Sequence, residues 1–430
     1  MPNQFTASLW GDEAFSAILS MKPIPEIISI IARDTSPPLY NLTEHIWFQI
    51  FGTSEIAVRS LSFLYYLIAV FFVYKIANHL WDKKTAILAS VLTFLNPFFF
   101  IYAFEGRMYS ILAAAVTASM YFFLTQKWVG YVLATSAALY SHHFSIFAVF
   151  IQGLWFLKEF FWGKRKVAYS ILKSFVAIGI LYTPWLIPLY NQTRMVGGGF
   201  WLGTPSVPDL GKLILTYLNI SLIALILRDW KKNLEKSVFL LLWFAGPIAF
   251  AWLISQKFSS IFFDRYLLYT IPGAMLLAGS QMQKFSKYFI AITLIFFLIA
   301  TFYYFTHPIK RPFRDLATYV KATLDDGDFI VNWYSNGTHH IWETKYYGIG
   351  GPIYVPGGGE LPFFVGTALM EEDDIITTLP SVSGRVGVVT SGPIEEISLP
   401  GYTKESERVF GTLKFVWYTP TLNGVGNEKL

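Results

Sequence analysis

Long apolar runs separated by short polar loops dominate the chain up to about its three-hundredth residue. Ten of them approach the roughly 20 residues a bilayer-spanning helix needs: Ile56–Ile76, Thr85–Phe104, Met108–Thr125, Trp128–Ser141, His143–Phe161, Val167–Tyr190, Gly211–Leu227, Ser237–Ser255, Tyr266–Ser280 and Tyr288–Thr306. The fourth and fifth also read as one broken or re-entrant unit, which neighbouring helices would have to bury. Beyond His307 the pattern changes. Gly and Pro rise, and strand-like runs appear at Asp328–Trp333, Pro352–Val355, Arg385–Thr390 and Leu413–Tyr418. Helix-like stretches at Phe313–Leu324 and Met370–Leu379 lie between them, the latter acidic near its start. The expected architecture is an α-helical polytopic membrane protein of about ten spans, carrying a small C-terminal α/β domain of ordinary size. The boundaries fall at 1–55 (a first loop with amphipathic helices and acidic motifs), 56–306 (the spans) and 307–430 (the α/β domain). No solenoid-type repeat is visible.

Composition agrees with lipid as the solvent. Hydrophobic residues make up 54% of the chain and charged ones 14%, too little charge to cover a soluble surface. The net charge of +5 does not point to nucleic acid once the cations are located. Lys83 and Lys84, Lys127, Lys158 with Lys164 to Lys166, Arg228 with Lys231, Lys232 and Lys236, and Lys284 with Lys287 occupy one set of loops. The alternate loops hold only Arg107, Arg194, Lys257 and Arg265. The positive-inside rule puts the first set in the cytoplasm, and the first loop and the C-terminal domain outside. The expected location is the plasma or inner membrane. Cysteine is absent, which excludes disulfides and thiolate metal sites. Aromatics, 18% of the chain, suit interfaces and sugar-stacking clefts alike.

The residues able to do chemistry fall on one side of this topology. Asp12 and Glu13 follow Trp10-Gly11 and open a short apolar-periodic stretch, where acids are also ordinary helix-start residues. Asp34 precedes Pro37-Pro38-Leu39-Tyr40, a rigid turn that could aim a carboxylate or simply lead into a helix at Leu39–Phe51. Glu105-Gly106-Arg107-Met108-Tyr109 sits at an outer junction of two spans, where charge is costly and tends to mark function. His142-His143 and Asp264-Arg265-Tyr266 lie at the same face. A histidine pair could bind a metal or donate to a phosphate, though adjacent helical residues point about 100° apart and chelate poorly. Arg265 suits bidentate phosphate recognition or mere snorkelling. Carboxylates with Arg and His at one interface can deprotonate an acceptor while holding a phosphate leaving group. A divalent cation is compatible with the same inventory.

The motifs Trp10–Ala14, Asp34–Tyr40, Phe51–Glu55 with Arg59, Glu105–Tyr109, Asp264–Leu268 and Arg311–Leu316 together resemble the GT-C superfamily of membrane glycosyltransferases. The nearest branch holds the protein O-mannosyltransferases and the lipid A aminoarabinose transferase. The resemblance implies inverting transfer of a sugar from a polyprenyl-phosphate donor to a lipid, glycan or protein acceptor at the extracytoplasmic face. Asp12 matches the general base and Asp34 the second acidic position near the acceptor, while Arg107 and Arg265 fall where phosphate ligands are expected. It also implies a spanning helix ahead of the Asp-Glu loop, for which the residues before Asp12 leave no room. Two other classes compete: a non-catalytic polyprenyl-lipid-binding protein, and a transporter. A transporter should carry ionisable residues near the midplane and repeated halves, whereas here the acids cluster outside.

Overall fold

The computed structural model describes residues 3–226, 234–282, 285–335 and 337–421. The chain divides into two compact units. One comprises Asn3–Phe5 and Ile24–His307, the other Thr6–Pro23 and Pro308–Leu430. The first 55 residues, expected as a single loop, are therefore shared between the two.

In the helical unit, five helices among the described residues are long and apolar enough to cross a membrane: Glu55–Leu80, Ser145–Trp162, Arg165–Gly197, Leu234–Ser255 and Lys287–Thr306. Only 17% of the most apolar window of the last is buried. Its Ile292, Ile295, Phe296, Ile299 and Phe302 are exposed, the surface of a helix solvated by lipid. The unit is that of a multi-pass membrane protein. The other expected spans are helical too, but broken or short. Thr85–Phe104 becomes Lys83–Phe94 and Pro97–Tyr102. Asn96 makes the break: its Oδ1 accepts from Phe99 N at 2.9 Å, and its Nδ2 donates to the Tyr217 carbonyl at 2.8 Å. Trp128–Ser141 ends at His142, whose extended backbone (φ −160°, ψ 137°) separates it from Ser145–Trp162. Val207–Ile226 is interrupted at Asn219 (φ 57°). Ile271–Met282 follows a short helix Asp264–Leu267 and a tight turn Leu268–Thr270. These two short pieces and the helix after them stand where Tyr266–Ser280 was expected. Leu227, Arg228, Lys231, Lys232 and Lys284 lie outside the described residues. Close helix contact explains Gly279: a Cβ there would lie 2.8 Å from that of Ala89, the small-residue packing that membrane helices favour.

The other unit is built on a six-stranded sheet of order β3-β2-β1-β4-β6-β5. Its strands are β1 Phe329–Trp333, β2 Ile353–Tyr354, β3 Ile375–Ile376, β4 Val386–Thr390, β5 Tyr402–Phe410 and β6 Leu413–Pro420. The β1, β2, β3 and β4 pairings are parallel, while β6 runs antiparallel to both β4 and β5. Phe313, Leu316 and Val320 of the helix Phe313–Thr323 pack on Ile330, Val389, Phe415 and Trp417. Val331, Val386, Val388 and Val416 form the core on the opposite face. Met370–Leu379, expected to be helix-like, is instead a tight turn Glu372–Asp374 leading into β3. Its acids satisfy the turn's own backbone in a capping box, and Asp374 pairs with Lys345 at 2.6 Å. The strand β5 went unread because it is a solvent-facing edge with little apolar alternation, TKESER in its middle.

Helix Gly11–Ser20 belongs to this unit. Glu13 is fully buried against Lys310 at 2.8 Å. Phe15 meets Trp342 edge-on at 5.4 Å, and Leu9 N donates to the Tyr347 hydroxyl at 2.8 Å. Arg314 reaches back to the Thr6 carbonyl at 3.1 Å.

Candidate functional site

In the helical unit, three segments converge. The turn between Pro97–Tyr102 and the helix Tyr109–Leu124 carries Glu105 and Arg107; it is closed by Arg107 N to the Glu105 carbonyl (2.7 Å) and by the Ser110 hydroxyl to the Tyr102 carbonyl (2.7 Å). Tyr109 is buried and stacks with Tyr266, centroids 6.2 Å apart. The guanidinium of Arg265 lies 4.9 Å from the Phe263 ring, 5.5 Å from Tyr109 and 5.8 Å from Tyr266. This aromatic bed fixes a charge that stays on at any pH. Tyr266 in turn faces His142 at 5.1 Å. The frame beneath is bonded too: the Tyr269 hydroxyl donates to the Phe144 carbonyl at 2.8 Å, and that of Tyr217 to the Asp264 carbonyl.

The two histidines bond through different ring nitrogens. Phe144 N donates to His142 Nδ1 at 3.1 Å, so the ring proton of the neutral form sits on Nε2, a hydrogen-bond donor. Burial, then His143, Arg107 and Arg265, pull His142 down to about 3; the same causes place both arginines within its electrostatic reach. His143 Nε2 instead meets Gln192 Oε1 at 2.8 Å. Gln192 Nε2 reaches the carbonyls of Ile31 (2.8 Å) and Ser36 (3.3 Å), the two ends of the turn that holds buried Asp34. Gln192 thus ties the Asp34 turn to the histidine pair.

Asp34, Glu105, Arg107, Tyr109, His142, His143 and Arg265 accordingly lie in one unit, linked through His142-His143. The buried hydroxyl of Tyr40 bonds Glu44 (3.1 Å) and Ser62 (3.4 Å). Arg59 is fully buried and donates to the Gln4 carbonyl at 2.8 Å, holding the start of the chain. Asp12 and Glu13 sit in the α/β unit, Asp12 half-buried in the first turn of its helix and Glu13 neutralised by Lys310. Among the described residues no three His, Cys, Asp or Glu groups come together as a metal site. A cavity of about 380 Å³ lined by Trp155, Lys158, Glu159, Lys164 and Glu235 shares no residue with this cluster, and Lys158 there is paired with Glu159 and Glu235.

Sequence reasoning missed Gln192. It is uncharged, and the available signal was a polar residue, 2% exposed, on a helix with an otherwise lipid-suited surface. It also missed a polar group in the α/β unit, where His340 Nδ1 faces Glu343 at 3.3 Å and its Nε2 faces the Ser391 hydroxyl at 3.0 Å. Nothing in the local pattern separates these residues from ordinary loop polarity.

A broken-helix membrane unit that carries arginines, histidines and a buried aspartate, and a separate small α/β unit, are what the resemblance to the GT-C glycosyltransferases implies. The comparisons agree. The chain is similar in structure to ArnT from Cupriavidus metallidurans in the apo state, with a TM-score of 0.72 at 13% identity, covering 96% of this chain and 95% of that one. The same protein bound to undecaprenyl phosphate matches at 0.65, again at 13% identity and over 96% and 95% of the two chains. The oligosaccharyltransferase of Archaeoglobus fulgidus, in complex with Zn and sulfate, matches at 0.51 and 15% identity over 75% of this chain and 52% of that one. Within the class, residues 35–188 match the family model for dolichyl-phosphate-mannose-protein mannosyltransferase, so the resemblance read from the motifs holds. No curated protein matches the chain by sequence.

Proposed function

We propose that the protein is an inverting glycosyltransferase that moves a sugar from a polyprenyl-phosphate donor to a lipid, glycan or protein acceptor at the extracytoplasmic face of the membrane. The observation that carries this is Arg265 on its aromatic bed, one ring away from the Nε2 donor of His142, with Arg107 near enough to act on that imidazole. Two permanent cations and a neutral N–H suit a phosphate monoester dianion better than a neutral solute. In the reaction, a carboxylate takes the acceptor hydroxyl proton as its oxygen bonds the sugar's anomeric carbon. The bond from that carbon to the phosphate oxygen breaks, and the electron pair leaves on the lipid phosphate. Asp12 is the base in this reading, and Asp34 lies near the acceptor.

The test uses detergent-solubilised protein and a panel of radiolabelled polyprenyl-phosphate sugars. Transfer of label to a lipid, glycan or protein fraction supports the reading. Binding without turnover across the whole panel would leave a lipid-binding protein. Arg107→Ala and Arg265→Ala should each weaken binding of bare polyprenyl phosphate about tenfold, in line with one lost charge-assisted contact; unchanged affinity in both moves the phosphate elsewhere.

A further inference from the structure

The polarity of His143 can be fixed atom by atom. The carbonyls of Ile31 and Ser36 only accept hydrogen bonds, so the Gln192 amide nitrogen faces them and its Oε1 faces His143. Oε1 also only accepts, so the ring proton of His143 is on Nε2, 2.8 Å away. Nδ1 is then a bare lone pair, and it is buried with no partner in the protein. A protonated ring would bury a charged N–H at that spot with nothing to receive it, so the ring is neutral. Such an atom cannot donate to a phosphate oxygen. It can only receive.

We infer that His143 Nδ1 accepts a hydrogen bond from a hydroxyl group of the sugar carried on the donor lipid, while the adjacent His142 donates to the phosphate. This rests on the donor reading above. A sugar bonded directly to a phosphate has to lie beside whatever holds that phosphate, and His142 and His143 are consecutive, with Arg265 reaching His142 through Tyr266. The pair would therefore read the two sides of one linkage, a neutral donor for the anion and a neutral acceptor for the polyol. An ordered water is the competing occupant of the Nδ1 position.

Two isosteric variants separate the possibilities. In His143→Asn the side-chain oxygen can occupy the Nδ1 position, keeping an acceptor there but losing the contact to Gln192. In His143→Gln the amide reaches the Nε2 position, keeping the Gln192 contact but losing the acceptor. The measurement is the affinity of the full chain in detergent for bare dolichyl phosphate and for the same lipid carrying mannose or glucose. The wild-type chain should prefer a sugar-bearing lipid. His143→Gln should cut that preference about threefold to tenfold, the worth of one net hydrogen bond, with an unchanged Tm as the control for folding. His143→Asn should keep most of it. Retained preference in His143→Gln, or its loss in His143→Asn alone, assigns the residue to water or to the Gln192 contact and overturns the inference, as does equal wild-type binding of all three lipids. A wild-type chain that binds none of them brings down the donor reading itself.

Discussion

At the scale of single residues, Asp12 and Glu13 are neighbours with different surroundings. Glu13 is fully buried on Lys310, so Glu13→Gln breaks a largely buried ion pair, which costs up to about 3–5 kcal/mol of stability. We expect a large fall in Tm from that change. Asp12→Asn, at a half-buried position, should leave Tm near wild type and reduce transfer about 10²–10⁴-fold, the usual worth of a general base; near-normal turnover would move the assignment to Asp34. The two variants, measured for melting and for transfer, should swap their effects. His142 gives a pH signature. Its folded pKa is held below the unfolded one by burial, His143, Arg107 and Arg265, so the folded state binds fewer protons than the unfolded state between about 6.5 and about 3. The stability it contributes is fully present above the unfolded value and drains as pH falls through that window. Tm in detergent should drop from pH 7 to pH 4.5, and His142→Asn should flatten the slope. Part of the slope will remain from His339, which burial also depresses.

At the scale of elements, the breaks matter as much as the helices. Asn96 is 1% exposed; it caps Pro97–Tyr102 and holds the Tyr217 carbonyl, one residue of a helix far away in the chain. Asn96→Ala removes a cap and orphans a buried carbonyl together, so a loss of about 2–3 kcal/mol is expected, read as a lower Tm. A change within measurement error would mean that the break is set by Pro97 alone. This also shows what a sequence discloses. Apolar runs announce helices because lipid burial is a property of composition, so Ser237–Ser255 and Tyr288–Thr306 were legible nearly to the residue. Where a helix stops inside such a run depends on one polar side chain finding a distant carbonyl, as Asn96 does, or on one extended residue, as at His142. Neither alters the hydropathy of its window. The cationic and acidic site residues stood out because charge is rare between these spans, whereas Gln192 carries no charge and stayed hidden.

At the scale of the whole molecule, orientation can be tested in a chain without native cysteines. The orientation expected from the charge asymmetry has Lys166 inside and Ser381 outside, and both are exposed. Ser381→Cys should react with an impermeant maleimide in intact cells, and Lys166→Cys only after permeabilisation; labelling of the latter in intact cells overturns the topology. Ser335 would be a poor probe, since it is buried and bonded to Glu396 at 2.7 Å. The division of the chain has a practical bearing on how the protein can be taken apart. The α/β unit is discontinuous: its Lys310, Trp342, Tyr347 and Arg314 all rely on residues drawn from Thr6–Pro23. A soluble fragment cut from Pro308 onward should therefore behave as a receptor with an empty groove, and a synthetic peptide spanning Thr6–Pro23 should be its complementing ligand.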